Sequence, residues 1–423
     1  MHTRSKLSRI LFCLVFYGFI AGLIFMDYNS RTINGTDDNV AVISLKDDYS
    51  AKTSDTDKGI KTDEYTFSPT SSGKNTRSNV EALLESMTTE EKVYQMFIVY
   101  PEALSGTHTI TKAGSSTRDG LSRYPVGGIV YTTQNLQSSA QTIRMIAKTQ
   151  SYSKIPLLIA ADEEGGEITR LMERLGTEQV SDMYSYRNDG VQTAYNNAGI
   201  ISEYMLRHGF NTDFAPVADV WSNPENKVIG SRAYSDNYDT AAELVPAAVR
   251  GFREYGLIST LKHFPGHGST WQDSHDGASY VDKDIDQLKN EDLKPFISGI
   301  KAGADMVMTG HLTVPAVDSL PATISYELTT NLLRNTLGFE GVVITDALKM
   351  GALDDYSSGE LAVMAVNAGA DILLGPDDLE DSVRHILDAV ENGTVSAERI
   401  DESVHRILSM KDAHGLLPSR PLQ

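Results

Sequence analysis

The chain is 423 residues long, 40% hydrophobic and 22% charged, which supplies a sizeable core and excludes global disorder. Its net charge of −20 lacks the basic footprint that nucleic acids require, so no nucleic-acid partner is expected. The single cysteine, Cys13, excludes a disulfide scaffold, Cys-based zinc sites and thiol catalysis.

The N-terminus carries Arg4, Lys6 and Arg9 and no acid, followed by an uncharged apolar run over residues 10–26. That run is longer than the roughly 7–15 residues of a cleaved signal core. It reaches the short end of the roughly 17–25 needed to span a bilayer. Ala21-Gly22 is followed by Leu23-Ile24-Phe25, which offers no small-x-small cleavage site, and Cys13 behind Phe12 is a poor lipoprotein context. Residues 1–27 therefore read as a signal anchor that partners the membrane, with a cleaved signal and a secreted chain as the alternative. The basic end stays cytoplasmic and the remainder lies outside. Residues 28–79 are rich in Ser, Thr, Asp, Lys and Gly, have no helical or alternating period, and read as a flexible tether. With no cysteine in the exported part, the expected location is the extracellular face of a bacterial cytoplasmic membrane.

Residues 80–423 form the expected globular domain. Thr88 and Glu91 make a capping box that starts a helix. Eight short β-rich runs then recur, at 96–100, 128–131, 156–161, 212–217, 258–263, 305–309, 341–345 and 371–374. Helix-like stretches lie between them, including 191–208, 241–255, 285–302 and 328–337. Near-continuously apolar strands alternating with helices indicate a parallel sheet covered on both faces. Eight units favour an α/β (β/α)₈ TIM-type barrel. An open doubly wound sheet is the alternative, though no Gly-x-Gly-x-x-Gly turn follows the first strand.

Unusual residues collect just after these strands. Asp162-Glu163-Glu164-Gly165-Gly166 follows the third, and Gly230-Ser231-Arg232 lies beyond the fourth. Lys262-His263-Phe264-Pro265-Gly266-His267-Gly268 ends the fifth, His311 follows the sixth and Asp346 the seventh. In a barrel all these strand ends face one rim, where active sites are built.

Asp346, fixed at the end of a buried strand, is a candidate nucleophile; the bland alternative is an N-cap for the next helix. His263, His267 and His275 fall within thirteen residues and raise a metal reading. Lys262 among them would repel a cation, and no metal is expected. In the other reading Lys262 and His263 donate to substrate hydroxyls, and Asp273 orients His275 so that the imidazole exchanges a proton near neutral pH. Asp162, Arg170 and Arg232 are each explicable as surface or salt-bridge residues. Trp221 and Trp271 lie on rim loops, where an indole could stack on a sugar or simply pack.

Together these segments resemble glycoside hydrolase family 3, and specifically its single-domain β-N-acetylglucosaminidases. The resemblance runs from Leu83 to Leu417 and includes Met87-Thr88-Thr89-Glu90-Glu91-Lys92-Val93 and Phe214-Ala215-Pro216-Val217-Ala218-Asp219-Val220. Its most specific parts are the Lys262–Gly268 segment with Asp273-Ser274-His275, and Gly341-Val342-Val343-Ile344-Thr345-Asp346-Ala347. It implies that Asp346 is the nucleophile and that His275, held by Asp273, is the acid/base. It further implies that Asp162, Arg170, Arg232, Lys262 and His263 hold a non-reducing terminal N-acetylglucosamine, with no cofactor. Family 3 β-glucosidases usually carry Ser-Asp-Trp at the nucleophile, where this chain has Thr345-Asp346-Ala347. Many take their acid/base from a second domain, whereas six residues follow Leu417 here. Glu167 replaces a frequent arginine, and Ala347 a frequent second aspartate. The implied activity is a retaining exo-β-N-acetylglucosaminidase acting on cell-wall muropeptides or chito-oligosaccharides. A β-glucosidase or broad β-hexosidase, and a non-catalytic wall-glycan-binding barrel, are the alternatives.

Overall fold

The computed structural model describes residues 79–106, 109–271, 277, 279–353 and 355–418. The anchor, the tether before Asn79, and both Asp273 and His275 lie outside them. Among the described residues no helix is long and apolar enough to cross a membrane.

Among the described residues there are ten strands: β1 Phe97–Val99, β2 Gly128–Val130, β3 Leu158–Ala161, β4 Thr212–Asp213, β5 Thr260–Phe264, β6 Ser279–Tyr280, β7 Met306–Thr309, β8 Leu312–Thr313, β9 Val342–Thr345 and β10 Leu373–Leu374. Eight of them coincide with the eight apolar runs. β1 to β4 pair in parallel in chain order, as do β5, β7 and β9. Parallel bridges Thr212↔Ile258 and Val217↔Lys262 join β4 to β5, and Ile344↔Ile372 joins β9 to β10. The Phe97↔Leu373 register between β1 and β10 then closes the ring. That last pairing removes the open-sheet alternative: a doubly wound sheet has two free edges, and here each edge finds the other. The barrel strands are buried along their whole length, as strands covered by helices outside and side chains inside must be. β6 and β8 are a separate parallel pair lying just past β5 and β7 in the chain.

The helices follow the sequence with two corrections. The capping box forms as expected: Glu91 N–H donates to Thr88 Oγ1 at 3.1 Å and Thr88 N–H to Glu91 Oε2 at 2.9 Å. Val191–Arg207 and Tyr238–Tyr255 match their apolar periods. The 285–302 stretch, however, is two helices, Ile285–Asn290 and Leu293–Lys301. The apolar period continues across the gap, but Pro295 has no N–H to give the Glu291 carbonyl and its ring crowds that carbonyl, so the helix restarts at Leu293 with Pro295 in its first turn. The last stretch is a π-helix, Glu327–Thr336, in which Leu337 N–H reaches back to Leu332 O at 2.9 Å.

Candidate active site

At the exit of β3, three consecutive acids have three different environments. Glu163 turns inward and holds the start of the helix Leu171–Leu175. Its Oε2 accepts from Leu171 N–H at 2.8 Å, and its Oε1 accepts from Met172 N–H at 2.8 Å and Tyr204 O–H at 2.9 Å. Arg170 is positioned by the same carboxylate through its backbone N–H. Asp162 and Glu164 meet the cations. Lys262, on β5, places Nζ 2.6 Å from Glu164 Oε1 and 3.0 Å from Asp162 Oδ1. Arg232 grips Glu164 with two parallel bonds of 2.9 Å, and Arg170 lies 3.5 Å from Asp162 Oδ2. Burial alone would raise the Glu164 pKa, but the Arg232 and Lys262 charges overcome it and hold the carboxyl far below the usual range. Burial likewise disfavours charged Lys262, and Glu164 and Asp162 more than restore it. Glu164 and Lys262 therefore stay ionised although buried.

A second cradle is built by Asp219, from the loop after β4. Its Oδ2 accepts from the His263 ring Nδ1 at 2.7 Å and from His263 N–H at 3.1 Å, while Oδ1 accepts from His267 N–H at 2.6 Å. The His263 Nδ1–H is thus fixed and the opposite ring nitrogen is left for other contacts. His267 is itself tied through Nδ1 to Thr270 Oγ1 at 2.8 Å, and burial lowers its pKa. The chain can lie this close only because position 268 is glycine: a Cβ there would sit 1.8 Å from Val220 O.

Asp346 ends β9. Its N–H donates to Thr309 O at 2.9 Å, and its Oδ1 accepts from Ala347 N–H at 2.8 Å. Burial opposes its charge, but His263, His311, the Ala347 N–H and Lys262 together lower its pKa, so it is ionised. The N-cap reading does not hold: the next α-helix, Ser358–Ala368, is capped by Ser357. His311 braces the turn after Asp346, with Nε2 3.0 Å from Ala347 O and Nδ1 2.7 Å from Thr323 Oγ1.

Asp162, Arg170, Arg232, Lys262, His263 and Asp346 therefore converge on one rim from β3, β4, β5 and β9. Glu164, Asp219 and His311 belong to the same network: the sequence puts Glu164 and His311 just after strands and Asp219 in the Phe214–Val220 segment, but their spacing to Lys262, His263 and Ala347 carries no local period that would assign them a partner. Glu167 is exposed. Trp221 packs edge-on against Tyr184 at 5.1 Å, while Trp271 is 76% exposed. Among the described residues no group of three His, Cys, Asp or Glu side chains could hold a metal ion. An ionised carboxylate beside fixed N–H donors and an acceptor suits attack on an electrophilic carbon within a polyhydroxylated ligand.

Residues 88–410 match the family model described as "Glycosyl hydrolase family 3 N terminal domain". The chain is 37% identical over 322 residues to Beta-hexosaminidase A of Pseudoalteromonas piscicida, covering 69% of this chain and 54% of that protein. It is similar in structure to a glycoside hydrolase family 3 beta-N-acetylglucosaminidase of Paenibacillus sp. str. FPU-7, with a TM-score of 0.74 and 37% identity, covering 79% of this chain and 65% of that one. A Beta-N-acetylhexosaminidase of Beutenbergia cavernae superimposes with a TM-score of 0.69 at 26% identity, over 78% of this chain and 99% of that one. The chain thus spans about half the length of the first of these relatives and nearly all of the last.

Proposed function

This chain belongs to glycosyl hydrolase family 3, and from that premise we propose that it is a retaining exo-β-N-acetylglucosaminidase, removing non-reducing terminal N-acetylglucosamine from wall muropeptides or chito-oligosaccharides. The observation that carries the reading is Asp346, ionised at a barrel strand end under the influence of His263, His311 and Lys262. The names of the similar proteins, β-hexosaminidase and β-N-acetylglucosaminidase, support the choice of sugar.

In this reading Asp346 attacks the anomeric carbon while His275, as imidazolium, protonates the leaving oxygen. A covalent glycosyl-enzyme forms, neutral His275 activates water, and the β configuration is retained. Asp273 orients His275. Lys262 and Arg170 flank Asp162, so the sugar hydroxyls meet two donors and an acceptor already fixed in place. Arg232 directs two of its N–H groups to Glu164 and one to Val228 O, so its contribution to sugar binding is largely to hold Glu164 against Lys262. No cofactor takes part. The anchor over residues 1–27 and the tether over 28–79 would display the barrel at the outer face of the cytoplasmic membrane, or release it if the segment is cleaved. Recovery of the native protein from the cytosol would remove that placement.

The test compares hydrolysis of an aryl β-N-acetylglucosaminide and an aryl β-glucoside by the purified full chain, with and without chelator. A strong preference for the acetamido sugar, indifferent to chelator, is expected. Preference for the glucoside would turn the reading to a β-glucosidase, and inactivity on both to a glycan-binding barrel.

A further inference from the structure

Tyr100 follows β1 directly and opens the turn Pro101–Leu104. Its ring is held on two sides. The Lys349 ammonium, three residues after Asp346, lies 3.8 Å from the ring centroid. Gly375, just past β10 with φ +52°, lies so close that a Cβ there would come within 2.7 Å of the ring. A ring clamped in this way places its hydroxyl in a defined position. That position feels the charges of both Asp162 and Asp346, and burial together with those charges raises the phenol pKa to about 12. The group is therefore a neutral O–H donor at any working pH, and among the described residues no hydrogen bond engages it. The cation over the ring face draws electron density from the phenol and strengthens the O–H as a donor.

We propose that Tyr100 is a further substrate-contacting residue, whose hydroxyl donates a hydrogen bond to the sugar seated between Asp162 and Asp346. The inference rests on the glycosidase reading. Tyr100 leaves β1, which stands across the ring from β5 and Lys262. No described acceptor engages this hydroxyl, and an oxygen of a sugar lying beside Asp162 and Asp346 would supply one.

Tyr100→Phe in the full chain keeps the ring, its packing on Gly375 and the Lys349 stack, and removes only the hydroxyl. The value of kcat/KM on the aryl β-N-acetylglucosaminide should fall roughly three- to tenfold or more, the size of a lost neutral hydrogen bond. Affinity for free N-acetylglucosamine, measured by calorimetry, should weaken by a similar factor while the melting temperature stays unchanged. Lys349→Met, which leaves the hydroxyl in place, should lose less of both. An active wild-type chain whose Tyr100→Phe variant matches it in kcat/KM and in sugar affinity overturns the inference alone. A wild-type chain that neither turns over aryl glycosides nor binds the sugar removes the glycosidase reading and this inference with it.

Discussion

The two ends of the barrel both bury paired charges, and among the described residues the N-terminal end adds a buried lysine with no carboxylate partner. At the C-terminal rim every buried cation faces carboxylates: Lys262 meets Glu164 and Asp162, and Arg232 meets Glu164. At the N-terminal end Asp371 is surrounded by Arg334, Arg399 and Arg406, with Ser403 Oγ 2.7 Å away. At the same end, before β1 and β2, Lys411 is fully buried with only neutral partners, Gln95 Oε1 at 3.1 Å and Gly127 O at 3.0 Å. Paired burial fixes an ionisation state, which is what a site needs. Unpaired burial leaves the ionisation to pH, and its consequences fall on stability.

The largest expected effect breaks the rim's chemistry without touching its packing. Asp346→Asn is isosteric, so folding should survive, while turnover of an aryl β-N-acetylglucosaminide should fall by roughly three orders of magnitude or more. Activity close to wild type would refute the nucleophile role. Glu164→Gln tests the pairing itself. It leaves Lys262 and Arg232 without the carboxylate they share, and removing one partner of a buried pair costs roughly 3–5 kcal/mol. A denaturant midpoint unchanged by this substitution would mean that the rim charges are solvated, and the contrast between the two ends would dissolve.

How far the sequence reveals each end depends on the range of the forces involved. All eight barrel strands are legible because each is a locally apolar run, and burial along the whole strand demands that pattern. Asp346, Lys262 and His263 are legible because they sit at strand ends. The roles of Glu164, Asp219 and His311 are not, since each depends on a partner from a neighbouring strand unit that only parallel pairing brings close, such as Glu164 with Arg232, 68 residues away. The break between Asn290 and Leu293 does carry a local mark, Pro295, which the apolar period of residues 285–302 masks by running straight through it. Lys411 reads as an ordinary solvated lysine late in an amphipathic helix, and nothing local announces its burial.

Lys411 gives the next test. Burial lowers its pKa from 10.5 to about 7. The folded state therefore binds fewer protons than the unfolded state between those values, so this group makes stability rise as pH increases from about 7 toward 10.5. Near pH 7 the folded chain forgoes about half of a proton that the unfolded chain holds, and nearly all of it by pH 9. Lys411→Met keeps the volume and removes the penalty, and should stabilise the protein by roughly 2–4 kcal/mol at neutral pH. The difference between variant and wild type, followed by denaturant unfolding at pH 7 and pH 9, should shrink at the higher pH. A constant difference would show that Lys411 remains charged in the fold.

His414, at the same end, should titrate with the opposite sign and a smaller amplitude. It follows the helix Ala397–Ala413, and its Nε2 lies 2.8 Å from Asp305 Oδ1, just before β7. Burial would lower its pKa, but the hydrogen bond to Asp305 and that residue's charge outweigh burial, and the net shift is upward. A raised folded pKa means stability that is fully present below the unfolded value near 6.5 and lost as pH rises through the folded value. His414→Gln retains a neutral donor toward Asp305 and should destabilise the chain by about 1 kcal/mol below pH 6, with little effect above pH 8. Wild type and variant should therefore converge with rising pH, because the variant lacks only the charge that wild type gives up on titration. If the gap instead persists above pH 8, the helix end is held by packing, and the N-terminal end of the barrel has one charge-sensitive position rather than two.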